Sequence, residues 1–265
     1  MARTKRRLGQ HFLTDPRLLG RIADALGATP QDTVLEIGPG PGGFTAALSE
    51  RAGRLVAIEK DRDLVPALRA RFPHATIVEG DALELDWRQI VGESDFLVAG
   101  NIPYNITSPL IDKALDTPRP PRIVFLVQLE VAERVTAAPA TREYGALSVG
   151  VQAVARCERL FTVPAGAFHP RPKVDSAVLR LIPLETPLVT DAEIPTFRRL
   201  VVGLFGFRRK QLVRGLRELT RWDASRVEEL LAALGVAPQL RPEVLEPETF
   251  ARLLRALVDG GWPGR

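Results

Sequence analysis

Cysteine is almost missing: one residue, Cys157, in a chain of 265. It cannot form an internal disulfide, and no Cys/His pair has zinc-site spacing, so no metal is expected and a reducing compartment fits. Long hydrophobic runs are missing too. Stretches such as Ile123–Val127 are strand-sized, far short of the ~20 residues a membrane helix needs. The N-terminus carries Arg3, Lys5, Arg6 and Arg7 but lacks the apolar stretch of a signal peptide, so a soluble, cytoplasmic protein is expected. Neither internal repeats nor low-complexity tracts occur. No heptad pattern argues for a stable dimer, and a monomer is expected.

What is there is ordinary in bulk. Apolar residues make up 45% and charged residues 26%, which excludes collagen-like and disordered chains. The length is about 1.8 typical domains, which suggests one large domain or two unequal ones. The net charge of +4 and a pI near 9.6 permit an anionic partner without proving one.

From residue 33 onward short β-branched runs alternate with amphipathic stretches, the pattern of parallel strands linked by helices. Val34–Ile37, Leu55–Ile58, Thr76–Val78, Phe96–Ala99 and Ile123–Val127 read as strands, with helices at Phe44–Arg51, Asp63–Phe72 and Ser108–Leu115. Arg159–Val163 and Val174–Ile182 read as two more strands, joined by the Pro-rich loop Pro164–Pro172. Beyond Pro183 every periodic segment is helical: Thr196–Phe207, Lys210–Leu219, Ser225–Leu234 and Pro247–Val258. The reading is a doubly wound α/β domain over 1–183 followed by a small helical domain over 184–265.

Glu36-Ile37-Gly38-Pro39-Gly40-Pro41-Gly42-Gly43 leaves the first strand and enters a helix, setting a tight glycine turn at the carboxyl end of the sheet. Gly38, Gly40 and Gly43 satisfy G-x-G-x-x-G, and Glu59, about 20 residues on, can accept ribose hydroxyls. A nicotinamide oxidoreductase remains an open reading at this point. Asp81, after the third strand, lies at the same sheet end, where its carboxylate can accept an exocyclic adenine amine. Asn101-Ile102-Pro103-Tyr104 follows the fourth strand. Asn101 offers a side-chain acceptor, the Ile102 carbonyl before Pro103 a second, and Tyr104 a flat face. Two acceptors beside a stacking ring suit an aromatic amine. Accepting both N–H groups of an adenine N6 favours the pyramidal geometry that frees its lone pair for methyl transfer from a sulfonium.

Gly9-Gln10-His11-Phe12-Leu13, Glu36–Gly40, Asn101–Asn105, Phe168-His169-Pro170-Arg171-Pro172-Lys173-Val174-Asp175-Ser176 and Phe207-Arg208-Arg209-Lys210 together resemble the ribosomal RNA adenine N6-dimethyltransferases. The resemblance spans almost the whole chain. It implies a Rossmann-like, S-adenosylmethionine-dependent methyltransferase domain backed by a small all-helical C-terminal domain. It further implies dimethylation of two adjacent adenosines in a terminal hairpin loop of 16S rRNA, within a small-subunit precursor. By the same resemblance His11 and Leu13 lie against the cofactor, Gly38 and Gly40 under its methionine part, Glu59 on its ribose, Asp81 on its adenine and Asn101 beside its methyl group. Phe168 is expected to stack the target base opposite Tyr104. The family often has Asn at position 11 and usually Leu at 102, where this chain has His11 and Ile102. Asn101–Tyr104 also resembles the 23S rRNA methyltransferases of macrolide resistance and does not choose between the branches; the Gly9–Leu13 and Phe207–Lys210 segments look more like the 16S enzyme.

Two basic clusters remain, Arg3–Arg7 and the set Arg208, Arg209, Lys210, Arg214, Arg217 and Arg221, opposed only by Glu218. They are expected to hold phosphates, positioning RNA without reading its sequence. A non-enzymatic assembly factor that binds RNA is a further alternative. His74, His169, Tyr144 and Cys157 are expected to have no catalytic part.

Overall fold

A computed structural model describes residues 10–92 and 95–264 in two compact units. The first unit runs to Ala132 and takes in Cys157–Pro183; the second takes in Glu133–Arg156 and the chain from Leu184 onward. The basic cluster Arg3–Arg7 lies outside the described residues, as does Gly9.

The first unit opens with a two-residue strand, β1 (Phe12–Leu13), and the helix α1 (Pro16–Leu26). Asp15 starts α1 by accepting the N–H groups of Arg17 and Leu18, Pro16 takes the first helical position, and Gly27 ends it at φ 64°. Then β2 (Thr33–Ile37), α2 (Gly43–Ser49), β3 (Arg54–Glu59), α3 (Val65–Arg71), β4 (Thr76–Glu79), α4 (Trp87–Val91), β5 (Phe96–Asn101), α5 (Thr107–Ala114) and β6 (Ile123–Gln128) follow. The helix α6 (Leu129–Val135) leads out of this unit, and α7 (Ala146–Gln152) belongs to the second. The chain returns along β7 (Ala155–Val163), β8 (Phe168–His169) and β9 (Ser176–Pro183).

One seven-stranded sheet has the order β4-β3-β2-β5-β6-β9-β7. The pairs from β4 to β6 are parallel, and β9 runs antiparallel to β6. Helices cover both faces of such a sheet, which is why β5 and β6 are apolar along their length and almost wholly buried. The strand order reverses beside β2: its successor β3 lies on one side and β5 on the other. That switch point opens a crevice outside the carboxyl ends of the strands, where doubly wound sheets bind ligands.

The Pro-rich loop holds a structural element that its sequence did not announce. β1 pairs antiparallel with β8, with Phe12 opposite His169 and Leu13 opposite Phe168. Facing residues of such a pair project to the same side and successive ones to opposite sides. Leu13 and Phe168 are therefore both buried in the cluster that contains Leu19, Ile22, Val163 and Val178.

The second unit is helical: α7 packs with α8 (Ile194–Gly206) and α11 (Pro247–Asp259), and α9 (Leu212–Thr220) contacts α8 and α10 (Ala224–Ala233). The domain boundary read from the sequence needs one correction, because Glu133–Arg156 belongs with these helices. Tyr144 is one of the residues that tie it there. Its ring is fully buried, meets Phe205 edge-on at 6.0 Å, and its hydroxyl donates to the Leu245 carbonyl at 2.7 Å.

Candidate active site

The glycine turn after β2 is built by left-handed backbone. Gly38, Gly40 and Gly42 have φ of 69°, 58° and 85°, a region that a side chain rarely tolerates. At Gly40 there is no room either: an added Cβ would sit 2.8 Å from the Phe12 ring. The backbone can therefore come up bare against a ligand. The Gly40 N–H also donates to a Glu59 carboxyl oxygen at 2.9 Å, which ties the turn to the end of β3.

Glu59 is 5% exposed, and its second oxygen accepts the Asp61 N–H at 2.7 Å. Burial raises its pKa, with the Asp61 and Gly40 N–H groups opposing and the Asp61 charge adding to the rise. Each oxygen keeps a lone pair for a ligand hydroxyl. Asp81, beyond β4, pairs with the Lys60 ammonium and accepts the Leu83 N–H at 2.9 Å. Burial alone would raise its pKa, but Lys60, the Leu83 N–H and Lys113 together hold it below the ordinary carboxylate value.

Asn101 closes β5 across the crevice. Its side-chain Nδ2 donates to the His11 carbonyl at 2.9 Å, so the amide is oriented and Oδ1 is left as an acceptor. Ile102 buries its side chain to 1% exposure, and its N–H donates to the Leu126 carbonyl at 3.0 Å. Its own carbonyl oxygen carries no hydrogen bond among the described residues. Tyr104 is half-buried; its hydroxyl lies 2.9 Å from Ser176 Oγ, and one ring face meets the His11 imidazole at 5.4 Å between centroids. Burial, only partly offset by Ser176, raises the Tyr104 pKa, so the phenol stays protonated.

These groups line one cleft of about 890 Å³, its open mouth included. It brings together His11, Gly38, Gly40, Glu59, Asp81, Asn101, Ile102, Pro103 and Tyr104 of the residues singled out from the sequence. Leu13 and Phe168 do not line it. At 5% and 4% exposure they lie in the core and not on the cleft wall, because the β1–β8 register turns both inward and gives the cleft Phe12 instead. The structure therefore does not present the Phe168 ring opposite Tyr104. Phe12 and Lys60, which line the cleft, and Ser176, which meets the Tyr104 hydroxyl, had no role assigned from sequence; Phe12 and Ser176 fall within the Gly9–Leu13 and Phe168–Ser176 segments, but only the β1–β8 register shows that Phe12 faces the cleft.

The basic set divides as well. Arg209, Lys210, Arg214, Arg217 and Arg221 are exposed. Arg208 is instead spent inside the second unit, on the Glu243 carboxylate and the carbonyls of Thr141 and Arg142. His74 and His169 are exposed. Among the described residues no group of three or more His, Cys, Asp or Glu could hold a metal ion, and no helix is long and apolar enough to cross a membrane.

Residues 1–256 match the family model of ribosomal RNA adenine dimethylases. The chain belongs to that family. It is 43% identical over 264 residues to the ribosomal RNA small subunit methyltransferase A of Geobacter metallireducens, covering 97% of this chain and 96% of that protein. Among solved structures it is similar to a dimethyladenosine transferase from Plasmodium falciparum, with a TM-score of 0.84 and 26% identity over 95% of this chain and 99% of that one. It is also similar to the 23S rRNA methyltransferase ErmE, with a TM-score of 0.73 and 29% identity over 93% of this chain and 99% of that one. The fold is thus the Rossmann-like methyltransferase fold with a helical C-terminal part, and the nicotinamide oxidoreductase reading falls away.

Proposed function

We propose that this chain transfers methyl groups from S-adenosylmethionine to N6 of two adjacent adenosines in a terminal hairpin loop of 16S rRNA, within a small-subunit precursor. The observation that carries the chemistry is the meeting, in one cleft, of the bare glycine turn, two carboxylates and the oriented Asn101 amide. Glu59 suits the ribose and Asp81 the adenine of the methyl donor, with Lys60 yielding one oxygen of Asp81 or sharing it. Gly38 and Gly40 suit its methionine part. His11 adds its backbone to that wall, whereas Leu13 supports the wall from the core.

The methyl donor supplies an electrophilic sulfonium carbon when bound. Asn101 Oδ1 and the Ile102 carbonyl accept the two N6–H groups of the target adenine, and Tyr104 stacks its ring. Held about 3 to 3.5 Å from the methyl carbon and in line with the bond that breaks, N6 needs little more than this positioning. No side chain has to remove the proton first, because an amine turns strongly acidic as it is alkylated and releases its proton to water afterwards.

The choice of the small subunit is supported by the 43% identity to a small-subunit enzyme, against 29% to the 23S enzyme ErmE. Arg209, Lys210 and Arg214 of the helical unit, together with Arg3–Arg7, would hold rRNA phosphates. The protein is taken to act as a cytoplasmic monomer. The test is transfer of labelled methyl to unmethylated small subunits and, separately, to protein-free 23S rRNA. Label in small subunits alone is expected; label in 23S rRNA alone would move the protein to the resistance branch.

A further inference from the structure

Between β8 and β9 the chain crosses the edge of the cleft as the short loop 170–175, and both its ends are tied there. At the start, the Pro170 carbonyl lies 2.8 Å from Nδ1 of His11, a residue of the cleft wall. At the finish, Ser176 Oγ lies 2.9 Å from the Tyr104 hydroxyl. Asp175 braces the turn: its side chain accepts the Ala165 N–H at 2.8 Å, and its carbonyl accepts the Leu129 N–H at 3.0 Å. Pro172 is buried, and Pro170 and Pro172 each fix a backbone angle, so the loop is stiff. What it holds outward is Arg171, Lys173 and Val174. Neither cation has an ion-pair partner among the described residues. Val174 is 46% exposed, the only large hydrophobic residue so exposed among the described residues of the first unit. A chain spans at most about 3.6 Å per residue, so the Val174 Cα lies within about 7 Å of that of Ser176, and the Arg171 Cα within about 4 Å of that of Pro170.

We propose that Val174 is an apolar wedge that takes the place left in the rRNA stack by the target adenosine, while Arg171 and Lys173 hold the phosphates that flank it. This rests on the functional reading above. An adenine whose N6 reaches Asn101 has to leave its stacked neighbours in the RNA loop. The cost of leaving is lowered by an apolar side chain that fills the gap and by a grip on the flanking backbone. A branched side chain on a stiff loop suits the first task, because it has little rotamer freedom to lose. Two exposed cations without carboxylate partners suit the second, because a phosphate displaces no protein group to meet them. All three residues belong to the same unit as Asn101 and Tyr104, so the grip is registered to the base that reacts.

The experiment is single-turnover methyl transfer by the native protein, Val174→Ala, Val174→Thr and Val174→Leu. Each acts on unmethylated small subunits and on reconstituted small subunits in which the nucleotide beside the target adenosines is abasic. Thermal melting and a cofactor titration accompany each variant. On intact rRNA Val174→Ala is about tenfold slower than the native protein and Val174→Thr about fivefold, while Val174→Leu stays within about twofold. On the abasic rRNA, where a stacking neighbour is already gone, Val174→Ala and Val174→Thr return to the native rate. A native rate for Val174→Ala on intact rRNA, or the same slowing on both RNAs, would overturn the wedge. Should Val174→Ala fail to fold, Val174→Thr, which keeps the shape of the side chain, makes the same comparison. Binding of small subunits at a series of salt concentrations tests the grip: Arg171→Ala combined with Lys173→Ala lowers the salt slope by about 1.5 and leaves cofactor affinity unchanged, and a native slope would overturn it. Absence of methylated adenosine with the native protein would overturn the functional reading and this inference with it.

Discussion

Replacing Glu36 with glutamine should remove a large part of the pH dependence of stability. Glu36 lies on β2 between Ala57 of β3 and Ala99 of β5, whose small side chains leave it space within the sheet. It is 0% exposed, and neither carboxyl oxygen has a hydrogen-bond partner among the described residues. Burial, reinforced by the Glu59 charge and offset only in part by the neighbouring Thr45 hydroxyl, which lies outside good hydrogen-bond geometry, raises its pKa from 4.5 to about 8. An unfolded chain gives up this proton near 4.5 while the folded protein keeps it to about 8. The contribution is therefore complete below 4.5 and is lost as the pH rises through that window, because folding must recapture a proton. At about 1.4 kcal/mol per pH unit, the gap between 4.5 and about 8 amounts to about 5 kcal/mol. Glutamine has no proton to lose, but its amide brings N–H donors into a site with few acceptors, a cost of about 1 to 2 kcal/mol at every pH. The variant should be slightly less stable than the native protein near pH 4.5 and more stable near pH 8. Urea unfolding at a series of pH values measures both curves, and parallel curves across the window would refute the reasoning.

Gly40→Ala should weaken cofactor affinity about tenfold or more, because the new Cβ meets both a left-handed φ and the Phe12 ring; isothermal titration reads it, and native affinity would count against the cradle. Tyr104→Phe keeps the ring and loses only the Ser176 contact, so methyl transfer should stay within several-fold of native, whereas Tyr104→Ala should lose about 1 to 3 kcal/mol of base stacking in a transfer assay. Arg214→Ala should lower rRNA affinity and reduce the salt slope by about 0.7 to 0.9 without altering cofactor binding. Arg208→Ala should instead lower the stability of the protein by about 1 to 2 kcal/mol in urea unfolding, since its partners are Glu243 and two backbone carbonyls of its own unit.

The sheet was legible because its strands are short β-branched runs buried on both faces, and the turn after β2 because its left-handed backbone favours glycine. The carboxyl-end position of each motif followed from that alternation, which is why Glu59, Asp81 and Asn101 meet in one cleft. The helix α1 was passed over although its signals are local: the Asp15-Pro16 start, the Gly27 stop, and Leu19, Ile22 and Leu26 on one buried face. Leu13 and Phe168 could not be placed from sequence, since their burial depends on a two-residue pairing across more than a hundred positions. The same holds for Arg208, whose basic neighbours are exposed while it reaches Glu243. Tyr144 was expected to be structural, but the unit it serves is set by long-range packing on Leu245 and Phe205.

The proposed reaction depends on Asn101 as the acceptor that presents N6 to the methyl donor. The most direct measurement is methyl transfer to unmethylated small subunits by the native protein and by Asn101→Ala side by side, with nucleoside analysis of the rRNA and a thermal melt of each protein. N6,N6-dimethyladenosine is expected from the native protein, with a loss of about a hundredfold or more in the folded variant. A folded Asn101→Ala protein that turns over at the native rate, or label that settles anywhere but adenine N6, would contradict it.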